Sequence, residues 1–265
     1  MYRKHFALSR HVFDKCLEPD ELFESSATAE LSARLSYLIE LRGIGLITGE
    51  PGSGKTTTCR KVVSSLHSGL YRVIYTPLST GNVMDLYKSL CWELGLSTER
   101  SRAALYRAIK TEITRLCHET KVRPVIVIDE AQNLRSEVLE DLRLLTNYAM
   151  DSENRMCLLL IGQAELRRRL RMAVHESFNQ RIVVRYHHVG LARDEIAVYL
   201  THMLRLAGTE LPLFEHSAIE AIYKASSGAP RKVNGLAHQS LNAAAVANAR
   251  VVNADHVQAA LAEVM

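Results

Sequence analysis

The stretch Gly49-Glu50-Pro51-Gly52-Ser53-Gly54-Lys55-Thr56 decides the fold, because it satisfies every fixed position of the pattern GxxxxGK[ST]. This pattern is typical of a P-loop, in which a strand leads into a turn whose backbone N–H groups surround a phosphate. A helix then begins with its positive end facing the anion. We therefore predict that the residues from Gly49 to Thr57 bind a nucleotide. Lys55 is expected to contact the β- and γ-phosphates and Thr56 to hold Mg²⁺.

The sequence on either side of the loop has the character that a P-loop requires. Residues 44–48 read as a short buried strand, and the segment from Thr57 to Leu66 has apolar residues at helical spacing. A chance match to the pattern would not be expected to lie between these two elements, so we favour a functional loop.

Composition limits the class of protein. The 265 residues are 47% hydrophobic, which suits one sizeable core and a smaller companion domain. There is no apolar run of about 20 residues and no secretory signal, so we expect a cytoplasmic protein that is neither secreted nor membrane-spanning. Neither a disulfide framework nor a zinc site is indicated, because the five cysteines are scattered and never form a C-x-x-C pair. They are Cys16, Cys59, Cys91, Cys117 and Cys157.

The net charge is +4, and the basic excess lies in residues 1–190. This distribution permits a polyanionic partner such as DNA. A solvated surface with slightly more Lys and Arg explains it equally well.

Apolar segments alternate with amphipathic helical segments along the first 190 residues, which indicates a parallel sheet. The first 27 residues lack a clean period, and we expect an arm that packs on the core and walls the adenine. Further strands are expected at residues 72–76, 125–128, 156–161 and 182–187, and helices at residues 28–41, 83–94, 101–120 and 131–149.

Asp129 and Glu130 follow the strand at residues 125–128, whose continuous β-branched run is typical of a strand buried on both faces. Four apolar residues followed by Asp-Glu match the Walker B pattern. Asp129 is then expected to bind Mg²⁺ through water, and Glu130 to polarise the attacking water. The alternative is that both acids only cap the following helix.

Two polar residues after later strands are further candidates. Gln163 follows the fourth strand, where it would contact the γ-phosphate and the attacking water, although a loop or helix-capping role is the plainer interpretation. Arg181 precedes the fifth strand, where it is either a surface charge or a finger offered to the γ-phosphate of a neighbouring subunit. Arg168, Arg169 and Arg171 compete with Arg181 for the second role.

From Leu191 onward the sequence contains only helical segments, at residues 194–206, 215–226, 231–247 and after 253. We interpret residues 191–265 as a helical lid and residues 1–190 as the nucleotide-binding domain, with residues 1–27 as its arm. Gly228-Ala229-Pro230-Arg231 opens the third lid helix. A positive charge at a helix N-terminus does not help the helix, so we expect Arg231 to act elsewhere.

The motifs in this order resemble those of AAA+ ATPases over essentially the whole chain. Within that superfamily the chain is similar to the ExeA/GspA type and to the transposition regulators TnsC and TniB. Four segments carry this closer resemblance: His5-Phe6-Ala7-Leu8 with Phe13, residues 46–57, Ile128-Asp129-Glu130-Ala131-Gln132-Asn133-Leu134, and residues 160–166.

The resemblance implies an α/β P-loop NTPase core with a parallel sheet in the order 5-1-4-3-2 and a C-terminal all-helical lid. It implies ATP and Mg²⁺ at a subunit boundary, and a hexameric ring or helical filament. Lys55 and Thr56 would be ligands, Asp129 and Glu130 the hydrolytic pair, Gln163 sensor 1, Arg231 sensor 2 and Arg181 the trans finger.

Three functions fit these expectations. ExeA-like secretion ATPases continue into a membrane segment and a peptidoglycan-binding domain, whereas this sequence ends at Met265, so we expect a regulator of transposition without a membrane partner. It would polymerise on duplex DNA without sequence preference and recruit a transposase and other transposition proteins. The alternatives are an ATPase that remodels a secretion or envelope complex, and a signalling switch that barely hydrolyses ATP. Candidate DNA contacts are Thr80, Lys88 and Lys110.

Overall fold

The computed structural model describes residues 1–13, 17–77 and 82–264. The chain forms two compact units, which we call the sheet unit and the helical unit. The sheet unit comprises Glu30–Gly49 and Lys55–His188. The helical unit comprises Met1–Ala29, Glu50–Gly54 and Val189–Met265.

The sheet unit is built on five strands, which are β1 (Ile44–Gly49), β2 (Tyr71–Pro77), β3 (Arg123–Asp129), β4 (Cys157–Gly162) and β5 (Ile182–His188). All neighbouring strands pair in parallel, in the order β2-β3-β4-β1-β5. This is the predicted order 5-1-4-3-2 read from the opposite edge, so the predicted sheet is confirmed. In a parallel sheet the carboxyl ends of the strands share one edge, which brings the ends of β1, β3 and β4 together.

Burial explains why the central strands were readable from sequence. Every residue of β1 and β4 is buried, as is every residue of β3 after its first, because helices cover both faces of the sheet. Edge strand β2 instead alternates between buried and exposed residues.

The helices of this unit follow the strands: α2 (Ser26–Leu41, which starts in the helical unit), α3 (Lys55–Ser64), α4 (Val83–Leu94), α5 (Arg102–His118), α6 (Ser136–Thr146), α7 (Ala164–Leu170) and α8 (Glu176–Asn179).

The helix predicted at residues 131–149 is wrong as one continuous element. Glu130 has a positive φ of 52°, a 3₁₀ turn follows at Ala131–Asn133, and Leu134 is extended, so α6 starts only at Ser136. A second 3₁₀ turn, Ala149–Asp151, follows after α6 ends at Thr146. Apolar periodicity does not show these breaks, because they arise from backbone conformation.

The helical unit consists of α1 (Tyr2–His5), α9 (Glu195–Leu206), α10 (His216–Ser226), α11 (Pro230–Val246) and α12 (Ala254–Val264). Buried Tyr2, Leu8 and Val12 join the apolar core formed by the C-terminal helices. The rings of Tyr2 and His238 lie nearly perpendicular to each other, with their centroids 5.1 Å apart. This grouping corrects the expectation that the arm packs on the nucleotide-binding core, because its apolar side chains are buried among the C-terminal helices instead. The predicted division at residue 190 stays a prediction.

No helix among the described residues is long and apolar enough to cross a membrane. The described cysteines, Cys59, Cys91, Cys117 and Cys157, are all free thiols.

Candidate functional site

The P-loop residues lie between the end of β1 at Gly49 and the start of α3 at Lys55. Gly52 has a φ of 78°, and a Cβ atom there would lie 2.6 Å from Cβ of Arg231, so only glycine fits. The Ser53 amide donates to the carbonyl of Glu50 at 3.1 Å. The buried Ser53 hydroxyl has no hydrogen-bond partner within the described part of the chain. Lys55 is buried, whereas Pro51, Thr56 and Thr57 are exposed.

Arg231 lies beside the P-loop turn within the helical unit. It is the second residue of α11, and its backbone amide donates to the carbonyl of Gly52 at 3.2 Å. The preceding Gly228 has a φ of 76° and passes so close to Leu191 that a Cβ atom would lie 2.1 Å from the Leu191 carbonyl oxygen. The Gly-x-Pro-Arg sequence therefore fixes the start of α11 through a backbone approach that only glycine permits. The sensor 2 role of Arg231 stays a prediction.

Asp129 is the last residue of β3, and its side chain is buried. One carboxylate oxygen accepts the Glu130 amide at 2.8 Å, and the other accepts the Tyr75 hydroxyl at 3.1 Å. Burial, followed by the charge of Asp129, raises the pKa of Tyr75 to about 12. The phenol therefore stays protonated and remains a donor at neutral pH. Sequence reasoning missed Tyr75, and the only signal was a polar ring near the end of the edge strand.

Glu130 is exposed and has left-handed backbone angles, with φ 52° and ψ 34°. Such a conformation costs a non-glycine residue on the order of 1–3 kcal/mol and is concentrated at functional sites. Its Oε2 accepts a hydrogen bond from Nε2 of Gln132 at 2.6 Å. Neither acid caps α6 with its side chain, since Arg135 occupies the N-cap of that helix. The capping alternative is therefore wrong.

Gln163 follows β4 and occupies the N-cap of α7 without a capping bond from its side chain. Its backbone amide donates to Oε1 of Gln132 at 3.1 Å. The structure thus connects Glu130 with Gln163 through a residue that was not predicted to belong to the site. In the sequence analysis, Gln132 was named only within a segment that carries the family resemblance. The signal that could have identified it is a side-chain amide two residues after the paired acids.

Arg181 forms an ion pair with Asp151 at 2.7 Å. Asp151 ends a run of three residues with positive φ: Ala149 at 48°, Met150 at 55° and Asp151 at 70°. Among the competing arginines, Arg168 and Arg171 are exposed, whereas Arg169 donates to the carbonyl of Gln132 at 2.9 Å. Burial lowers the pKa of the Arg169 guanidinium. The trans-finger role of Arg181 stays a prediction.

The oxygen donors of Thr56 and Asp129 suit Mg²⁺, which prefers hydroxyl, carboxylate and water ligands. Asp129 accepts one hydrogen bond on each carboxylate oxygen, and each oxygen keeps a further lone pair for a metal-bound water. The donor set therefore fits the ion that the resemblance implies.

The three candidate DNA contacts differ in their exposure to solvent, and one of them is not described by the structure. Thr80 lies outside the described residues, and Lys88 is exposed. Lys110 is half-buried, its Nζ lies 3.5 Å from the centroid of the Tyr148 ring, and it donates to the carbonyl of Asn147. Burial lowers the pKa of Lys110. These contacts commit Lys110 to its own subunit, so Lys88 is the better candidate.

Comparison with known proteins adds family and fold to this geometry. Residues 39–170 match the model of the AAA domain family. The chain is 33% identical over 247 residues to general secretion pathway protein A of Aeromonas hydrophila, which covers 92% of the chain. It is 27% identical over 153 residues to the ATP-dependent target DNA activator B of Escherichia phage Mu, which covers 57% of the chain. The chain spans 45% of the length of each relative.

Solved structures are similar to the chain in fold. Cdc6p from Pyrobaculum aerophilum aligns with a TM-score of 0.73 at 18% identity, over 96% of this chain and 70% of that one. The ORC2 protein of Aeropyrum pernix aligns with a TM-score of 0.69 at 20% identity, over 96% of this chain and 72% of that one. The match to the AAA domain family and the two sequence relatives, together with the sheet order and the P-loop, show that the chain belongs to the AAA+ P-loop NTPases, in the group that includes general secretion pathway protein A and the phage Mu target DNA activator B.

Proposed function

We propose that the protein is an Mg²⁺-dependent ATPase. The observation that carries this proposal is the end of β3, where buried Asp129 is followed at once by exposed Glu130 in a strained backbone conformation. A P-loop binds nucleotide, a buried carboxylate suits an ion, and an exposed carboxylate beside it suits activation of water.

Each residue has one task in this mechanism. The backbone amides of residues 49–57 bind the phosphates, and Lys55 neutralises the charge that develops on the transferred group. Thr56 and Asp129 would hold Mg²⁺, which would stabilise negative charge on the phosphates when bound. Glu130 takes the proton of the attacking water, Gln163 orients that water, and Arg231 contacts the nucleotide. Arg181 acts on the γ-phosphate of a neighbouring subunit.

For the biological role, we propose ATP-dependent regulation of DNA transposition. ATP-bound subunits would assemble as a ring or filament on duplex DNA in the cytoplasm, recruit a transposase, and leave after hydrolysis. The similarity to the phage Mu target DNA activator B and the basic excess in residues 1–190 support this proposal.

A second candidate has its own supporting observation. General secretion pathway protein A is more similar to the chain, at 33% against 27% identity, and over more of it, at 92% against 57%. The same ATPase site would then drive changes in a secretion or envelope complex without binding DNA.

Microscopy of the purified protein with duplex DNA distinguishes the two roles. Samples contain a non-hydrolysable ATP analogue, no nucleotide, or the Lys55→Ala variant with the analogue. We expect rings or filaments on DNA only when wild-type protein and the analogue are both present. Assemblies that need the analogue but ignore DNA would contradict the transposition role and favour the secretion role. A protein that does not hydrolyse ATP in a phosphate-release assay would contradict the ATPase proposal itself.

A further inference from the structure

We propose that Gln132 is a positioning residue that holds Glu130 in the orientation needed to activate water. The proposal rests on the ATPase function proposed above. Gln132 does not touch the reacting atoms in this scheme, and it acts through the carboxylate of Glu130.

The side-chain amide of Gln132 joins two elements of the sheet unit. Its Nε2 donates to Oε2 of Glu130 at 2.6 Å, and its Oε1 accepts the backbone amide of Gln163 at 3.1 Å. A carboxylate only accepts hydrogen bonds and a backbone N–H only donates them, so these two partners fix which end of the amide faces which. The side chain therefore links the ends of β3 and β4.

The backbone of Gln132 is also held. Its carbonyl accepts a hydrogen bond from the Arg169 guanidinium at 2.9 Å. The remaining guanidinium atoms of Arg169 that are fully buried, Nε and the second Nη, have no hydrogen-bond partner within the described residues. Losing this bond would leave the partly buried Arg169 guanidinium without a hydrogen-bonded acceptor among the described residues, which favours keeping the carbonyl of Gln132 in place.

Gly162 supplies the space that the amide occupies. A Cβ atom at Gly162 would lie 3.0 Å from Oε1 of Gln132 and 2.9 Å from Cδ2 of Leu166. The last residue of β4 is therefore small where the Gln132 side chain passes. Three separate contacts, from Glu130, Gln163 and Arg169, converge on one residue that carries no charge of its own.

The link has a clear consequence for Glu130. An exposed carboxylate has several rotamers of similar energy, and only some of them face a water molecule at the γ-phosphate. The hydrogen bond from Gln132 restricts Glu130 to few of these rotamers. Since the same amide also binds the backbone of Gln163, a shift of the β4 end on nucleotide binding would be passed to Glu130.

The test compares Gln132→Met, which keeps the side-chain length but cannot make either hydrogen bond, with Asn133→Ala as the matched control at the next, exposed position. We expect Gln132→Met to lower kcat about tenfold. The Kd for ATP and the melting temperature should stay near the wild-type values. Asn133→Ala should change none of the three. Gly162→Ala, which displaces the amide without altering it, should lower kcat in the same direction.

A pH profile adds a readout that a purely structural role would not move. Gln132→Glu places a second carboxylate within hydrogen-bond distance of Glu130, and two like charges at that distance favour protonation of one of them. We expect the acidic limb of the kcat profile to move to higher pH in Gln132→Glu and to stay in place in Asn133→Ala.

Two results would overturn the inference. One is a kcat for Gln132→Met within twofold of wild type while Glu130→Gln is inactive, which leaves the ATPase proposal intact. The other is a loss of kcat in Gln132→Met that is accompanied by a clear fall in melting temperature, which would make the residue structural. Failure of the ATPase proposal is recognised separately, because wild-type protein would then show no turnover that depends on Glu130.

Discussion

The segments before and after α6 each hold one candidate catalytic side chain through a bond within the chain, but the bonds differ in kind. Before α6, exposed Glu130 is held by the neutral amide of Gln132, which is itself bound on two sides. After α6, Arg181 is held by the opposite charge of Asp151, whose side chain is 54% exposed. Both segments contain left-handed residues, one at Glu130 and three at residues 149–151.

The difference teaches what each bond is suited to. A neutral amide orients a carboxylate without placing an opposite charge beside it, which suits the role of Glu130 as a general base. An exposed ion pair neutralises its arginine but is worth only about 0.2–1 kcal/mol, so it is readily exchanged for a stronger anion. The first arrangement is built to position a side chain, and the second is built to release one.

The largest expected effect separates action within a subunit from action between subunits. Glu130→Gln and Arg181→Ala should each lower ATP hydrolysis about 1,000-fold with ATP binding retained. Because the finger comes from a neighbour, an equal mixture of the two variants should recover about a quarter of wild-type activity by random assortment. A steady-state phosphate-release assay measures both results. A mixture no more active than either variant alone would mean that both residues act within the same subunit, and it would remove the contrast.

Acid conditions provide the next largest effect, which is a loss of folding stability. This loss also limits how far into the acid range the kcat profile of Gln132→Glu can be measured. Burial, with the charges of Lys55 and His187, lowers the pKa of His188 from 6.5 to about 4. Between these values the unfolded state binds more protons, so stability present above pH 6.5 is lost as the pH falls towards 4. The loss amounts to about 3 kcal/mol.

Urea unfolding at pH 7, 6 and 5 measures this loss. His188→Phe, which keeps a buried ring, should flatten the pH dependence of the free energy of unfolding. His118→Gln, at a side chain that is 56% exposed, should leave it unchanged. An unaltered pH dependence in His188→Phe would assign the loss to other groups.

A smaller effect is expected at the ion pair itself. Asp151→Asn removes the charge that holds Arg181, so the protein concentration needed for nucleotide-dependent assembly should fall about threefold, which corresponds to the modest energy of such a pair. Light scattering across a dilution series measures this threshold. Glu153→Gln, which breaks the neighbouring pair with Arg155, is the matched control. An unchanged threshold in Asp151→Asn would show that the pair does not restrain Arg181.

An effect of similar, small size concerns backbone strain after α6. Met150 has a φ of 55° and is 98% exposed, so Met150→Gly removes strain without removing packing. We expect the free energy of unfolding to rise by about 0.5–1 kcal/mol, seen as a melting temperature about 2 °C higher. Glu119→Gly, at a φ of −89°, should lower stability instead. A fall in both variants would mean that the turn is not strained.

The sheet could be predicted because buried parallel strands appear in sequence as apolar runs and the P-loop fixes the first crossover. Asp129 and Glu130 could be located because they directly follow such a run. Gln132 and Asp151 could not, because their roles depend on left-handed residues at 130 and at 149–151 that turn the chain out of the expected helix. The arm was misassigned for a related reason, since its apolar residues show that it packs but not against which surface.

The cysteines carry a practical consequence for attaching a spectroscopic probe. Burial raises the pKa of Cys157 to about 12, and it also raises the pKa of Cys59, Cys91 and Cys117. Thiols react as thiolates, so at neutral pH these four should be slow towards maleimides. With Cys16 replaced by serine, a cysteine introduced at exposed position 150 would become the preferred site of a fluorophore. Such a label would report in real time on whether Asp151 and Arg181 part when nucleotide is added.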